Sequence, residues 1–332
     1  MPLSLILTLI LIVACVLLAV VLLAANYFYV IGIARGRKSL DVLAARDELF
    51  SSTDFSEDED RLWWRAQTFE PLTIQSADGL VLKGYYLPAP TASSRTVILF
   101  HGYRSTAKMM AGFARFYHAE LGCNILVPDA RGHGESQGSV IGMGWADRPD
   151  VLGWVREAEK QAGADAQIVL AGISMGGAAV MMAAGEALPG SVRCVIEDCG
   201  YDSVYNEFKY QLKRMYGLPA FPLLPAASLI CKIRAGFFFG EASCILQLKK
   251  AQVPVLFIHG AEDDFVPPDM MRSCYEACVS PKQFWLVPNA GHGLAFQTDP
   301  EAYKRTVQGW LDLNMQADTQ PLAVGFARRD ML

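Results

Sequence analysis

The chain has 332 residues, enough for one large or two small domains, with 34 acidic against 29 basic side chains and a net charge of −5. That balance, with no clustered basic face in the region carrying the chemistry, gives no electrostatic footprint for nucleic acid. The eight cysteines are too irregularly spaced, and the chain too long, for a small disulfide scaffold, so buried free thiols are expected. Cys274 and Cys278, four apart on an expected helix, look like half of a metal site; no matching Cys or His pair accompanies them, and no metal is expected.

The hydrophobic content of 52% is concentrated at the N-terminus, where Leu5 to Ala25 runs without a charge and the first charged side chain is Arg35. At about 1.5 Å per residue this run spans roughly 32 Å, the thickness of a bilayer core. A cleaved signal peptide is the competing reading, but its apolar region is shorter, with a basic start and a small-x-small site, and neither is clear here. The expectation is a retained single-pass anchor over 1–34 in the cell membrane. Tyr27, Phe28 and Tyr29 suit the interface at its end. Arg35, Arg37 and Lys38 place the larger part in the cytoplasm if the positive-inside rule is read literally, although long domains override such signals.

Residues 35–68 read as a charged helical connector. Asp54 to Asp60 is acidic, and Trp63-Trp64 either packs the connector onto the domain or touches the membrane surface. From Phe69 the pattern changes. Leu72 to Ile74, a turn at Asp78-Gly79 and Leu80 to Leu87 predict an antiparallel hairpin. Short apolar runs follow at 96–100, 123–127, 167–171, 192–196, 253–258 and 283–287. Helical windows lie between and after them at 107–120, 146–161, 178–187, 268–279 and 301–313. Uninterrupted apolar strands alternating with helices predict a mostly parallel, twisted α/β sheet covered on both faces, with functional residues at the carboxyl ends of the strands. About 55 residues separate the strand ending near Glu197 from the one starting at Val253, far more than a crossover needs. This stretch reads as an inserted helical cap over about 202–250 whose apolar residues line a substrate pocket or simply enlarge the core.

Gly172-Ile173-Ser174-Met175-Gly176 follows an expected strand and opens an expected helix, the setting a nucleophile elbow requires. The bend forces Ser174 into a strained conformation, and Gly172 and Gly176 remove the side chains that would collide there. Serine is a weak nucleophile and needs a base. Among five histidines, His292 lies after the last expected strand and C-terminal to the serine; His133 is the runner-up, His101 and His259 read as turn stabilisers, and His118 lies mid-helix. A carboxylate must hold the base's tautomer, and Asp263, Asp264, Glu262 and Asp198 are all placed to do so. The expected oxyanion donors are the backbone N–H groups of Met175 and Tyr103.

These segments, HGY at 101–103, DARGHGES at 129–136, GISMGG at 172–177, HGAEDDFVP at 259–267 and AGHG at 290–293, resemble the α/β-hydrolase superfamily over about three-quarters of the chain, from Phe69 to Leu313. IEDCGYDSV at 196–204 and YGLPAFPLLP at 216–225 narrow the similarity to N-terminally anchored bacterial members of the serine aminopeptidase and lysophospholipase-like branch. The resemblance implies that the acid is Asp263, two residues before Phe265, and that the enzyme uses no cofactor. It implies a hydrolase domain over 69–315 followed by a tail over 316–332. The function expected is a membrane-tethered serine hydrolase acting on small-molecule acyl substrates. Carboxylic esters are favoured over peptides because the cap is apolar, and thioesters or amides are open to the same triad. A peptidase, an acyltransferase and a non-catalytic binding protein on the same fold are the alternatives.

Overall fold

The computed structural model describes residues 2–35 and 59–316. Arg37, Lys38, most of the expected connector and acidic stretch, and residues 317–332 of the expected tail lie outside the described residues. The chain begins with helix α1 (Leu3–Gly32), 30 residues long with a mean hydropathy of 3.5 over its most apolar 18-residue window, long and apolar enough to cross a membrane. A short helix α2 (Glu59–Ala66) precedes the hairpin β1 (Glu70–Gln75) and β2 (Val81–Leu87), which is antiparallel as the alternating pattern and the Asp78-Gly79 turn predict.

Strand β3 (Arg95–Phe100) leads to three short turns instead of the single helix expected over 107–120: a 3-10 turn (Ala107–Met110), helix α3 (Ala111–Arg115) and a π-turn (Phe116–Glu120). The widened last turn puts both Phe116 and Tyr117, adjacent in sequence, inside the core. Then come β4 (Asn124–Pro128), α4 (Arg148–Ala162), β5 (Gln167–Ile173), α5 (Met175–Ala183) and β6 (Val192–Asp198). Three helices follow, α6 (Val204–Tyr216), α7 (Leu223–Ala235) and α8 (Cys244–Leu248). This insertion is pinned at its base by a bridge between Ser203 and Ser243, with Val204 N donating to Ala242 O and Cys244 N to Asp202 O. Strand β7 (Val255–Gly260), α9 (Pro268–Ala277), β8 (Lys282–Val287), α10 (Ala295–Thr298) and α11 (Pro300–Asn314) complete the described chain.

The eight strands form one sheet in the order β1-β2-β4-β3-β5-β6-β7-β8; β2 is antiparallel to both of its neighbours, and from β4 across to β8 every pairing is parallel. Along β3, Ile98 and Phe100 join the core on one face and Val97 and Leu99 the core on the other, which explains why the strand reads as a continuous apolar run. The chain passes from β3 outward to β4 and returns to β5 on β3's other side. The crevice at the carboxyl ends of β3 and β5 is therefore the switch point where such sheets bind ligands. Phe100 pairs with Gly172, so the loops leaving both strands start at the same level.

The cysteines are free, and the Cys274 thiol lies against Cys244 of α8. Trp154 of α4, 1% exposed, lies so close to β2 that a β-carbon on Gly84 would stand 2.8 Å from its ring. Trp154→Ala is therefore expected to destabilise the protein by about 3–5 kcal/mol, measured by denaturant unfolding. A loss below about 1 kcal/mol would contradict this packing.

Candidate active site

At the end of β5 the backbone turns sharply into α5. Ser174 sits at the turn with φ 55° and ψ −116°, a conformation side chains rarely adopt, and its N–H donates to Asp198 O at 2.8 Å. The glycines have the steric task expected of them. A β-carbon on Gly172 would collide with the Gly176 carbonyl, and one on Gly176 with the Phe100 carbonyl at the end of β3. The Gly102 α-carbon lies close by, where an added β-carbon would be 3.4 Å from Ser174 Cβ. The loop after β3 and the elbow after β5 thus share one crevice.

Into that crevice the loop after β8 brings His292. Its Nε2 is 2.9 Å from Ser174 Oγ and its Nδ1 is 2.8 Å from Asp263 Oδ2. The other carboxylate oxygen of Asp263 accepts from Phe265 N at 2.9 Å and Val266 N at 2.8 Å, which locks the side chain toward the imidazole. Burial works to raise the Asp263 carboxyl, but hydrogen bonds from His259 and His292 and the charge of both rings outweigh it and hold it well below the usual carboxylate range. The three remaining acid candidates are elsewhere. Asp264 points outward to Arg214 at 3.2 Å, Glu262 is exposed, and Asp198 is buried beside Tyr303 and Cys199.

His133, the alternative base, is engaged in the scaffold: Nδ1 lies 3.0 Å from Arg131 O and Nε2 accepts from Arg104 N at 3.1 Å. His101 is arranged alike, with Nδ1 2.8 Å from Gly102 O and Nε2 accepting from Ala130 N at 3.0 Å. Burial pushes His101 down to about 4; burial and the neighbouring His101 push His133 down to about 3, so both stay neutral acceptors at Nε2. The Tyr103 and Met175 amides donate to no backbone or side-chain acceptor among the described residues; Met175 follows Ser174 directly, and Tyr103 follows Gly102, which lies against Ser174.

Sequence reasoning missed two groups. His259, read as a turn stabiliser, also lies 3.3 Å from Asp263 Oδ2, so the acid faces two imidazoles. Its place four residues before Asp263 at a strand end is the only sequence signal for this. Glu207 of the cap is 4% exposed; its Oε1 accepts from Gln211 Nε2, which also donates to Phe265 O at 2.8 Å, and Oε2 has no hydrogen-bond partner among the described residues. With Tyr210 OH donating to Asp264 O at 2.7 Å, helix α6 grips the loop that carries Asp263. One trio of ligand-type atoms among the described residues, from Cys199, Asp263 and His292, lies within 4.8 Å. Asp263 and His292 are already bonded to each other, and burial keeps the Cys199 thiol protonated by raising it well above its usual value, so the trio reads as a hydrogen-bonded site and not a metal cage.

Residues 97–306 match the Alpha/beta hydrolase family. The chain belongs to this family. Among its relatives, the uncharacterized Bacillus subtilis protein YqkD is 31% identical over 74% of this chain and 80% of its own length. The uncharacterized Saccharomyces cerevisiae membrane protein YNL320W is 25% identical over 69% of this chain and 75% of its own. Of solved structures, the Pyrococcus furiosus esterase Pf2001 superposes with a TM-score of 0.62 at 23% identity, over 75% of this chain and 92% of that one. The Pyrococcus horikoshii acylaminoacyl peptidase superposes with 0.57 at 17% identity, over 80% of this chain and 45% of that one. At these identities the structures speak for the fold alone. This α/β-hydrolase carries an N-terminal apolar helix that could span a membrane.

Burial pushes the Glu207 carboxyl of this hydrolase up to about 8. A carboxyl held protonated by the fold contributes stability that is full below its unfolded value near 4 and is lost as pH rises toward 8. Glu207→Gln is therefore expected to reduce the fall in unfolding free energy between pH 5.5 and 8 by roughly 1–3 kcal/mol in urea titrations. An unchanged pH slope would contradict the assignment.

Proposed function

We propose that this α/β-hydrolase is a membrane-tethered serine hydrolase that cleaves carboxylic esters, and by the same chemistry thioesters or amides, through an acyl-enzyme on Ser174. The observation that carries this reading is the unbroken line Ser174 Oγ, His292 Nε2, His292 Nδ1, Asp263 Oδ2, with contacts of 2.9 and 2.8 Å. His292 Nε2 takes the Ser174 proton as Oγ attacks the acyl carbonyl, and Asp263 stabilises the imidazolium that forms. The Met175 and Tyr103 N–H groups bind the tetrahedral oxyanion, reinforced by the N-terminus of α5. His292 then returns the proton to the departing alcohol, leaving the acyl group on Ser174. Water, deprotonated by the same nitrogen, attacks that acyl group and frees the serine.

Esters are favoured over peptides by the apolar surface of the cap, where Phe221 and Ile233 are 78% and 75% exposed and Leu229 is 50% exposed. Tethering is supported by α1 and by the name of the yeast relative. Asn26, at the end of the apolar run, accepts from Arg234 Nη1 at 2.8 Å, so α7 of the cap stands beside the bilayer surface when α1 is inserted. Arg35 follows the helix, and with Arg37 and Lys38 it favours a cytoplasmic catalytic domain.

The test is a series of p-nitrophenyl esters of increasing acyl length, given to wild type and to Ser174→Ala. Wild type is expected to hydrolyse them with a rate that depends on chain length, and the variant to lose roughly 10³-fold or more in kcat. Equal rates for the two proteins would sink the serine mechanism, and indifference to chain length would sink the preference for apolar acyl groups. Product analysis with an added acceptor alcohol separates hydrolysis from acyl transfer.

A further inference from the structure

The last turn of a helix leaves carbonyls without intrahelical partners. In α1 these carbonyls meet the active-site loop. The Tyr103 hydroxyl donates to Gly32 O at 2.9 Å, with Ile31 O at 3.1 Å, and Arg104 Nη2 donates to Ile31 O at 2.6 Å. The Arg104 guanidinium also stands 5.0 Å from the centre of the Tyr103 ring, so the two donors brace each other.

The segment after the helix extends this attachment. Ile141 N donates to Ile33 O at 2.8 Å and Arg35 N to Ser139 O at 2.9 Å. The Arg35 guanidinium donates to Ser136 O at 2.6 Å and Gly134 O at 2.8 Å. One stripe at the end of α1 packs on the domain: Ala25 and Tyr29, with Ile33 just beyond the helix, are 0%, 4% and 0% exposed; α1 lies chiefly against the cap helix α7, and Phe28 meets Tyr216 edge-on at 5.1 Å. The apolar helix is thus built into the domain over its final turns.

The loop it holds is a strained one. Arg104 has φ 55°, a left-handed conformation that a non-glycine residue keeps only when its surroundings impose it. Two sets of contacts do so here, the Nε2 of His133 taking the Arg104 N–H on one side and the end of α1 taking the Tyr103 and Arg104 side chains on the other. The direction of the Tyr103 N–H depends on the same loop.

We infer that the last turn of α1 positions the oxyanion loop, with Ile31 O and Gly32 O acting through Tyr103 OH and Arg104 to aim the Tyr103 amide at the reacting carbonyl. Tyr103 and Arg104 side chains are positioning groups in this account, and the helix is a working part of the site as well as an anchor. The inference rests on the serine hydrolase reading for its catalytic consequence but not for the clamp itself.

The experiment uses full-length protein in phosphatidylcholine nanodiscs and two independent variants, Tyr103→Phe and Arg104→Met, both of which keep the amide. Hydrogen–deuterium exchange reads the clamp without reference to activity. The Arg104 and Ser105 amides are expected to exchange at least about tenfold faster in both variants, with the β3 and β5 amides unchanged. On p-nitrophenyl butyrate, kcat is expected to fall about tenfold or more with KM within about threefold, and affinity for a boronic acid transition-state analogue to fall in parallel with kcat. Unchanged loop exchange in both variants overturns the clamp. Faster loop exchange with intact kcat, or a loss accompanied by faster exchange throughout the sheet, overturns the positioning role. Wild type that fails to hydrolyse the ester refutes the serine hydrolase reading, and the exchange data still decide the clamp.

Discussion

The arrangement depends on how closely three backbone segments approach one another around Ser174. The Gly176 α-carbon sits against the Phe100 carbonyl, and the Gly172 α-carbon against the Gly176 carbonyl, closer than any β-carbon allows. That contact lets β5 turn straight into α5, lifts Ser174 to φ 55°, and leaves its hydroxyl at the sheet edge where β3 and β5 diverge. The strain is tolerated because the Ser174 N–H is held by Asp198 O and its carbonyl starts the helix by accepting from Ala178 N at 2.9 Å.

From that bend outward, each neighbouring element is tied to the next by polar contacts that leave little slack. Asp263 is fixed by two backbone amides and faced by two imidazoles, and the loop bearing it is gripped by α6 of the cap. The loop bearing Tyr103 is fixed by His101 and His133 from within the sheet side and by the end of α1 from without. Cap, N-terminal apolar helix and sheet therefore meet around one serine. A disturbance of the cap or of α1 reaches the site through hydrogen bonds and not through loose chain.

Much of this was legible in the residues. Continuous apolar runs such as Thr96 to Phe100 marked strands buried on both faces, and the order of the GISMGG, HGAEDDFVP and AGHG segments placed Ser174, Asp263 and His292 at the ends of β5, β7 and β8, where the structure brings them into contact. The choice among Asp263, Asp264 and Glu262 was not legible from spacing, because which of three adjacent carboxylates turns inward depends on the turn that donates Phe265 N and Val266 N. The 107–120 window read as one helix, since side-chain pattern does not distinguish a regular helix from 3-10 and π turns that bury neighbouring aromatics. The docking of α1 was hidden for a different reason. Ala25 and Ile33 are as apolar as the lipid-compatible residues around them and Tyr29 reads as an interface aromatic, so a stripe that faces protein looks the same as one that faces lipid.

The central claim is that Ser174 carries the acyl group between two half-reactions. Rapid quenching of the full-length protein during turnover of a slowly deacylating ester, followed by proteolysis and mass spectrometry, reads that claim directly. The account predicts an acyl mass on the peptide containing Ser174 in wild type, lost in Ser174→Ala and accumulating in His292→Ala only slowly. An acyl group on another residue, or hydrolysis that proceeds in wild type with no adduct under conditions where deacylation is rate-limiting, would contradict it.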